Sequence, residues 1–128
     1  MCHRDLWADN ILRTPTDGVV VLDWENSGPG DPAGELGVVL FEFGLGDPSR
    51  MSQLFASYVD SGGPARLRTK GDLTMLIAMS GHIAQIGCER WLAAQSNGER
   101  ADNEAWVREF LDEPVTVATV DEILDAAR

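Results

Sequence analysis

The chain has little of several features that mark whole classes of protein. Its 128 residues include two cysteines, Cys2 and Cys88, and no apolar run that reaches the length of about 18 residues that a membrane span needs. The distant cysteines match no disulfide framework and no metal-ligand spacing, and the first residues lack the apolar core of a signal peptide. We therefore expect a protein of the reducing cytoplasm without a membrane partner.

Basic side chains are also scarce. The chain carries 10 Lys and Arg against 21 Asp and Glu, which gives a net charge of −11. This charge repels phosphodiester backbones, so we expect no nucleic-acid partner. It would attract a small cationic substrate, although solubility is the simpler explanation of this charge and the one we favour.

The residues that are present predict one soluble domain over residues 1–128, with an α+β fold that is predominantly helical. Apolar residues make up 44% of the chain and charged residues 24%, as in ordinary globular domains. Two short apolar runs around an Asp-Gly turn predict a β-hairpin over residues 11–13 and 19–22. Cap residues and apolar spacing then predict helices over residues 32–43, 49–59, 72–94, 99–111 and 120–127.

The residues that suggest chemistry lie in the first quarter of the chain. His3 to Asn10 reads H-R-D-L-x-x-x-N, and Asp23 follows the second predicted strand. Since paired strands lie about 5 Å apart, Asn10 and Asp23 at the open end of one hairpin can share a hard cation such as Mg²⁺. Asp5, one short loop upstream, could accept the proton of an attacking hydroxyl. These are the parts of a phosphoryl-transfer site, and the alternative is a polar turn with capping residues.

These motifs resemble the catalytic core of the aminoglycoside phosphotransferase and choline kinase superfamily, relatives of the protein kinases. Those enzymes carry H-x-D-x-x-x-x-N, a hairpin, a metal-binding Asp and a Gly-Asp-Pro turn that opens a helix, and the matching motifs here lie within residues 2–37. The resemblance implies a kinase-like C-terminal lobe. Residues 1–31 would form its catalytic loop, metal-binding hairpin and turn, and residues 32–128 its helical substrate-binding part.

The resemblance also implies roles for single residues. Asp5 corresponds to the catalytic base, and Asn10 and Asp23 correspond to the magnesium ligands. Glu25 matches the glutamate of the Asp-x-Glu motif in choline-kinase-like members, where it supports the metal site.

Two further residues are expected to support the catalytic loop. His3 would brace it by hydrogen bonds, a role that a purely structural histidine would also have. Glu35 stands where the family usually has Asp, and it should hold the loop from the helix that follows.

The implied reaction is transfer of phosphate from ATP, with Mg²⁺, to a hydroxyl of a small molecule such as an aminoglycoside, an amino alcohol or a sugar. In kinase-like enzymes a glycine-rich loop and a lysine upstream of the H-x-D motif hold the nucleotide. Here only Met1 and Cys2 precede that motif, and the single lysine, Lys70, follows it. We therefore expect a truncated form that lacks the N-terminal lobe and is inactive alone. Its exposed hairpin side would meet the missing lobe or self-associate.

Two alternatives remain. The chain could be a non-catalytic lobe, kept as a binding module or as a remnant. It could also be a fragment of a protein kinase, which the literal H-R-D favours. Against the second, Asp23 is followed by Trp24-Glu25 and not by Phe-Gly.

Overall fold

The computed structural model describes the backbone of residues 1–128 and every side chain except that of residue 109. The described chain is mostly helical, with a single two-stranded antiparallel sheet, so the α+β prediction is confirmed. It divides into two compact units, residues 1–76 with 118–128 and residues 77–117. None of the helices in the described chain has both the length and the apolar character needed to cross a membrane.

A short hairpin stands near the start of the first unit. Strands β1 (Ile11–Arg13) and β2 (Val19–Val21) pair antiparallel, with Leu12 opposite Val20. The predicted hairpin is therefore confirmed, with its second strand one residue shorter than expected. Leu12 and Val20 remain 51% and 45% exposed, so one face of this sheet is apolar and open to solvent.

Two capped helices follow the hairpin. Helices α1 (Pro32–Gly44) and α2 (Pro48–Asp60) both begin at a proline, and in each case the preceding aspartate is the N-cap. The carboxylate of Asp31 accepts a hydrogen bond from the N–H two residues further on, at 3.0 Å, and the carboxylate of Asp47 does the same at 2.9 Å. Because this cap satisfies an N–H that has no partner inside the helix, the Asp-Pro pairs set where both helices start.

The core of the first unit lies around α1, α2, a 3₁₀ helix (Lys70–Leu73) and helix α5 (Val117–Ala126). Gly37 allows a close contact here, because a Cβ at this position would overlap the Cδ2 atom of Leu73. The side chains that are less than 2% exposed are Val38, Leu40, Met51, Leu73, Leu76 and Ile123.

The second unit contains most of helix α3 (Thr74–Ala93) and helix α4 (Asn97–Asp112). Gly87 is buried where the two helices meet, since a Cβ there would approach the ring of Trp106 within 2.9 Å. The expected helix over residues 72–94 therefore exists, but it begins at Thr74. Its predicted apolar face is only partly buried, because Ile77 is 51% exposed.

Candidate functional site

The predicted catalytic loop, residues 3–10, is tied at its start to the turn that follows the hairpin. Cys2 and Gly28 form an isolated antiparallel bridge, with N–H to carbonyl distances of 2.8 and 3.0 Å. The Cys2 side chain is 3% exposed and lies against Gly30, where a Cβ would stand only 3.1 Å from that of Cys2. Burial raises the pKa of the Cys2 thiol, and the nearby Glu35 carboxylate raises it further.

His3 braces the segment that leads to Asp23. Its ring is 4% exposed, and Nε2 lies 2.7 Å from the carbonyl oxygen of Leu22. Because a carbonyl only accepts, we assign the proton to Nε2, which donates to it. The ring also meets Trp24 edge to face, with the ring centroids 4.7 Å apart. Within the described part of the chain Nδ1 is buried without a hydrogen-bond partner.

Arg4 has an unusual backbone that turns its N–H towards α1. Its φ is +70°, a left-handed conformation that costs a non-glycine residue roughly 1–2 kcal/mol. The N–H of Arg4 donates to Oε1 of Glu35 at 2.6 Å. A carboxylate in the first turn of α1 therefore holds the residue that directly precedes Asp5.

Asp5 and Asn10 are joined through the main chain. The side-chain amide of Asn10 donates through Nδ2 to the carbonyl oxygen of Asp5 at 2.8 Å, which leaves Oδ1 of Asn10 for another partner. Both residues are half-buried. Among the described residues, nothing makes a hydrogen bond or an ion pair with the Asp5 carboxylate.

Asn10 and Asp23 both lie at the open end of the hairpin. The ladder continues one pair beyond the strands, since Leu22 donates its N–H to the carbonyl oxygen of Asn10 at 2.8 Å, and Asp23 is the next residue. Asp23 is left-handed, with φ +58°, and directly precedes a 3₁₀ helix (Trp24–Asn26) that contains Glu25. Aspartate tolerates this conformation better than most residues, and such strain is concentrated at functional sites.

The donor atoms at this end of the hairpin fit a magnesium ion. In the described chain no three His, Cys, Asp or Glu side chains form a metal-binding group. Mg²⁺ does not require such a group, because one or two protein ligands suffice when phosphate oxygens and water complete its shell. The amide oxygen of Asn10 and the exposed carboxylate of Asp23 are ligands of this kind, and Glu25 is an exposed second carboxylate nearby in sequence.

One contact of this region was missing from the sequence interpretation. The backbone N–H of Ala8 donates to Oε1 of Glu42 at 3.1 Å. Glu42 lies on α1 seven positions after Glu35, which is two helical turns, so both carboxylates are on one face. That spacing is visible in the sequence and indicates the shared face, but it does not indicate the contact with Ala8.

The comparison with protein families covers this whole region. Residues 1–69 match the model of the phosphotransferase enzyme family. No curated protein and no solved structure matches the chain. The family match extends over more than half of the chain and includes every residue of the site described above. The chain therefore belongs to the phosphotransferase enzyme family.

Proposed function

We propose that the chain is the catalytic and metal-binding part of a kinase-like phosphotransferase, the C-terminal lobe, which passes phosphate from ATP to a hydroxyl of a small molecule. One observation carries the proposal. The hydrogen bond from Leu22 to Asn10 brings Asn10 and Asp23 to one end of the hairpin, beside the loop that contains Asp5. An amide oxygen, a carboxylate and a potential base are the groups that phosphoryl transfer needs.

Asn10 and Asp23 are the proposed magnesium ligands, with Glu25 in support. When bound, the ion would neutralise charge on the phosphate and orient it towards the acceptor. Two features of the protein support this role for Asn10. Its Nδ2 is held by the Asp5 carbonyl, which fixes the amide plane, and an amide ligand adds no negative charge next to a triphosphate.

Asp5 is the proposed general base. Its main chain is fixed on both sides, because Glu35 holds the N–H of the preceding residue and Asn10 holds the carbonyl of Asp5 itself. The carboxylate remains available to accept the proton of the acceptor hydroxyl as the new bond to phosphorus forms. A fixed backbone with an available carboxylate is what a positioned base requires.

The acceptor that we propose is an aminoglycoside, an amino alcohol or a sugar. The net charge of −11 favours the cationic members of this group, because the field of the protein raises their local concentration.

The location that we propose is the cytoplasm. Both cysteines are free, which supports a cytoplasmic location.

The exposed apolar face of the hairpin is the proposed contact for a nucleotide-binding lobe. Leu12 and Val20 are opposite one another on this face, and Leu22 continues it at 38% exposure. Buried apolar area contributes about 25 cal/mol per Å², so covering this face would stabilise the association with that lobe. The alternative occupant is a second copy of the chain.

Substitution of Asp5 by Asn tests the proposal. The assay needs residues 1–128 together with the proposed nucleotide-binding lobe. In that protein we expect Asp5→Asn to lower turnover by a factor of about 10² to 10⁴. The affinity for Mg²⁺-ATP should change little, because the proposed ligands remain. The assay follows transfer of the γ-phosphate to each class of acceptor.

Asp9→Asn is the matched control. Asp9 is exposed in the same loop and has no proposed role, and the substitution makes the same change of charge and shape. Near-parent turnover in Asp5→Asn, or an equal loss in both variants, would remove Asp5 as the base. Absence of turnover in the parent protein would favour the non-catalytic alternative.

A further inference from the structure

The segment between Arg4 and Ala8, which contains Asp5, is held at both ends by one helix. Glu35 accepts from Arg4 N–H at 2.6 Å, and Glu42 accepts from Ala8 N–H at 3.1 Å. The two loop positions are four residues apart, and the two glutamates are two turns apart on the same face of α1. We refer to Glu35 and Glu42 together as the two-point clamp.

The contact at Ala8 satisfies an N–H at the start of a short helix. Ala8 is the first residue of a 3₁₀ helix (Ala8–Asn10), and its N-cap residue, Trp7, makes no side-chain capping hydrogen bond. The first N–H groups of any helix lack partners inside it, and serine, threonine, asparagine or aspartate at the N-cap usually supplies one. The side chain of Trp7 has no acceptor oxygen, and the carboxylate of Glu42, from a different element, accepts from the first N–H of the turn.

This short helix ends in the proposed metal ligand. The Asn10 N–H donates to the Trp7 carbonyl at 3.0 Å, and this bond closes the 3₁₀ turn. A turn of three residues has few hydrogen bonds of its own, so each one matters for its position. Because Ala8 and Asn10 belong to the same short turn, loss of the contact at Ala8 is expected to shift Asn10.

We propose that Glu42 is a positioning residue for the metal site, acting through the Ala8 N–H and the 3₁₀ helix on the amide oxygen of Asn10. Glu42 itself touches neither metal nor substrate. This inference rests on the proposed function, in which Asn10 is a magnesium ligand. It adds that the ligand geometry depends on a residue of α1 that is 34 positions from Ala8 in the chain.

The test uses the 128-residue chain and two NMR measurements that need no turnover. The first is the hydrogen-exchange rate of the Ala8 amide. The second is the concentration of Mn²⁺, used as the probe, that half-broadens the side-chain NH₂ signals of Asn10. For Glu42→Ala we expect exchange at Ala8 to rise about fivefold, which corresponds to one ordinary hydrogen bond. We expect Mn²⁺ affinity to fall about tenfold, as for other residues that orient a metal ligand.

Two variants serve as controls. Glu42→Gln keeps an acceptor oxygen at the same reach, so it should restore both measurements to near the parent values although the charge is gone. Glu122→Ala removes an exposed carboxylate from α5 and should leave both unchanged. Equal effects of Glu42→Ala and Glu122→Ala on Mn²⁺ would show a general field effect and overturn the inference.

The remaining outcomes separate the inference from the proposed function. If Mn²⁺ binding depends on Asp23, as shown by its loss in Asp23→Asn, but is unchanged in Glu42→Ala, the inference is wrong and the metal site stands. If the parent chain shows no broadening at Asn10, the proposed metal site is wrong, and the inference falls with it. Faster exchange at Ala8 without a change in Mn²⁺ affinity would reduce Glu42 to a structural cap.

Discussion

Substitution of Gly37 by alanine is a sharp test of how α1 is packed. Gly37 lies inside α1 between the two residues of the two-point clamp, and a methyl group there would overlap Cδ2 of Leu73. Leu73 is fully buried, so its side chain can move only by disturbing the core around it. Adding the methyl group therefore forces α1 and the Lys70–Leu73 helix apart, or forces Leu73 out of its rotamer.

The magnitude follows from two opposing terms. Alanine is favoured over glycine inside a helix by about 1 kcal/mol. Overpacking a filled core costs about 1–3 kcal/mol. The free energy of unfolding of Gly37→Ala should therefore be lower than that of the parent by about 0–2 kcal/mol, and the packing term determines the size of this loss.

Gly81→Ala isolates the helix-propensity term. Gly81 also lies inside a helix, α3, but a Cβ there would meet nothing within 4 Å. The free energy of unfolding of this variant should rise by about 1 kcal/mol, because only the higher helix propensity of alanine contributes. Because the helix term is common to both variants, the difference between them gives the packing cost directly. Urea unfolding followed by circular dichroism measures both, with the slope checked against the parent. A Gly37→Ala chain as stable as Gly81→Ala would refute the packing described here.

Two further predictions concern pH and nucleotide binding. Hydrogen bonds from the N–H groups of Arg68 and Thr69 lower the pKa of the Asp72 carboxyl, so this group stabilises the fold above its unfolded pKa near 4 and loses that effect as the pH falls through its folded pKa. Asp72→Asn should therefore lower the urea midpoint at pH 7, and the gap to the parent should close in acid; a gap that is the same at both pH values would contradict this. Calorimetric titration of Mg²⁺-ATP into the 128-residue chain should show very weak binding, because its net charge is −11 and its one lysine, Lys70, is paired with Asp121 at 2.6 Å. Micromolar affinity accompanied by turnover would show that residues 1–128 contain a nucleotide site of their own.

The sequence predicted those parts of the fold that short-range signals control. The Asp-Pro pairs at Asp31 and Asp47 predicted the starts of α1 and α2, because a cap and a proline act within one helical turn. The predicted apolar face of α3 was only partly right at Ile77, since burial depends on what packs against a helix as well as on its spacing.

In the candidate site, too, the sequence predicted local features and missed those that depend on the folded chain. The motif predicted which residues would be near the mouth of the hairpin, because the strands between Asn10 and Asp23 are local. It did not predict the left-handed backbone of Arg4 and Asp23, since neither residue is glycine. It also did not predict the contact of Glu42 with Ala8, because only the folded chain brings together residues 34 positions apart.

The two-point clamp contacts main-chain N–H groups and makes no use of the loop side chains at its two contact points. The side chains at positions 4 and 8 can therefore change without loss of either hydrogen bond. Proline is the exception at both positions, because it has no N–H to donate. At position 4 the left-handed backbone restricts the residue type further, because it favours glycine, asparagine or aspartate and disfavours β-branched residues. At these two positions sequence variation is thus limited by backbone chemistry, whereas at Asp5 and Asn10 it is limited by the proposed roles of the side chains.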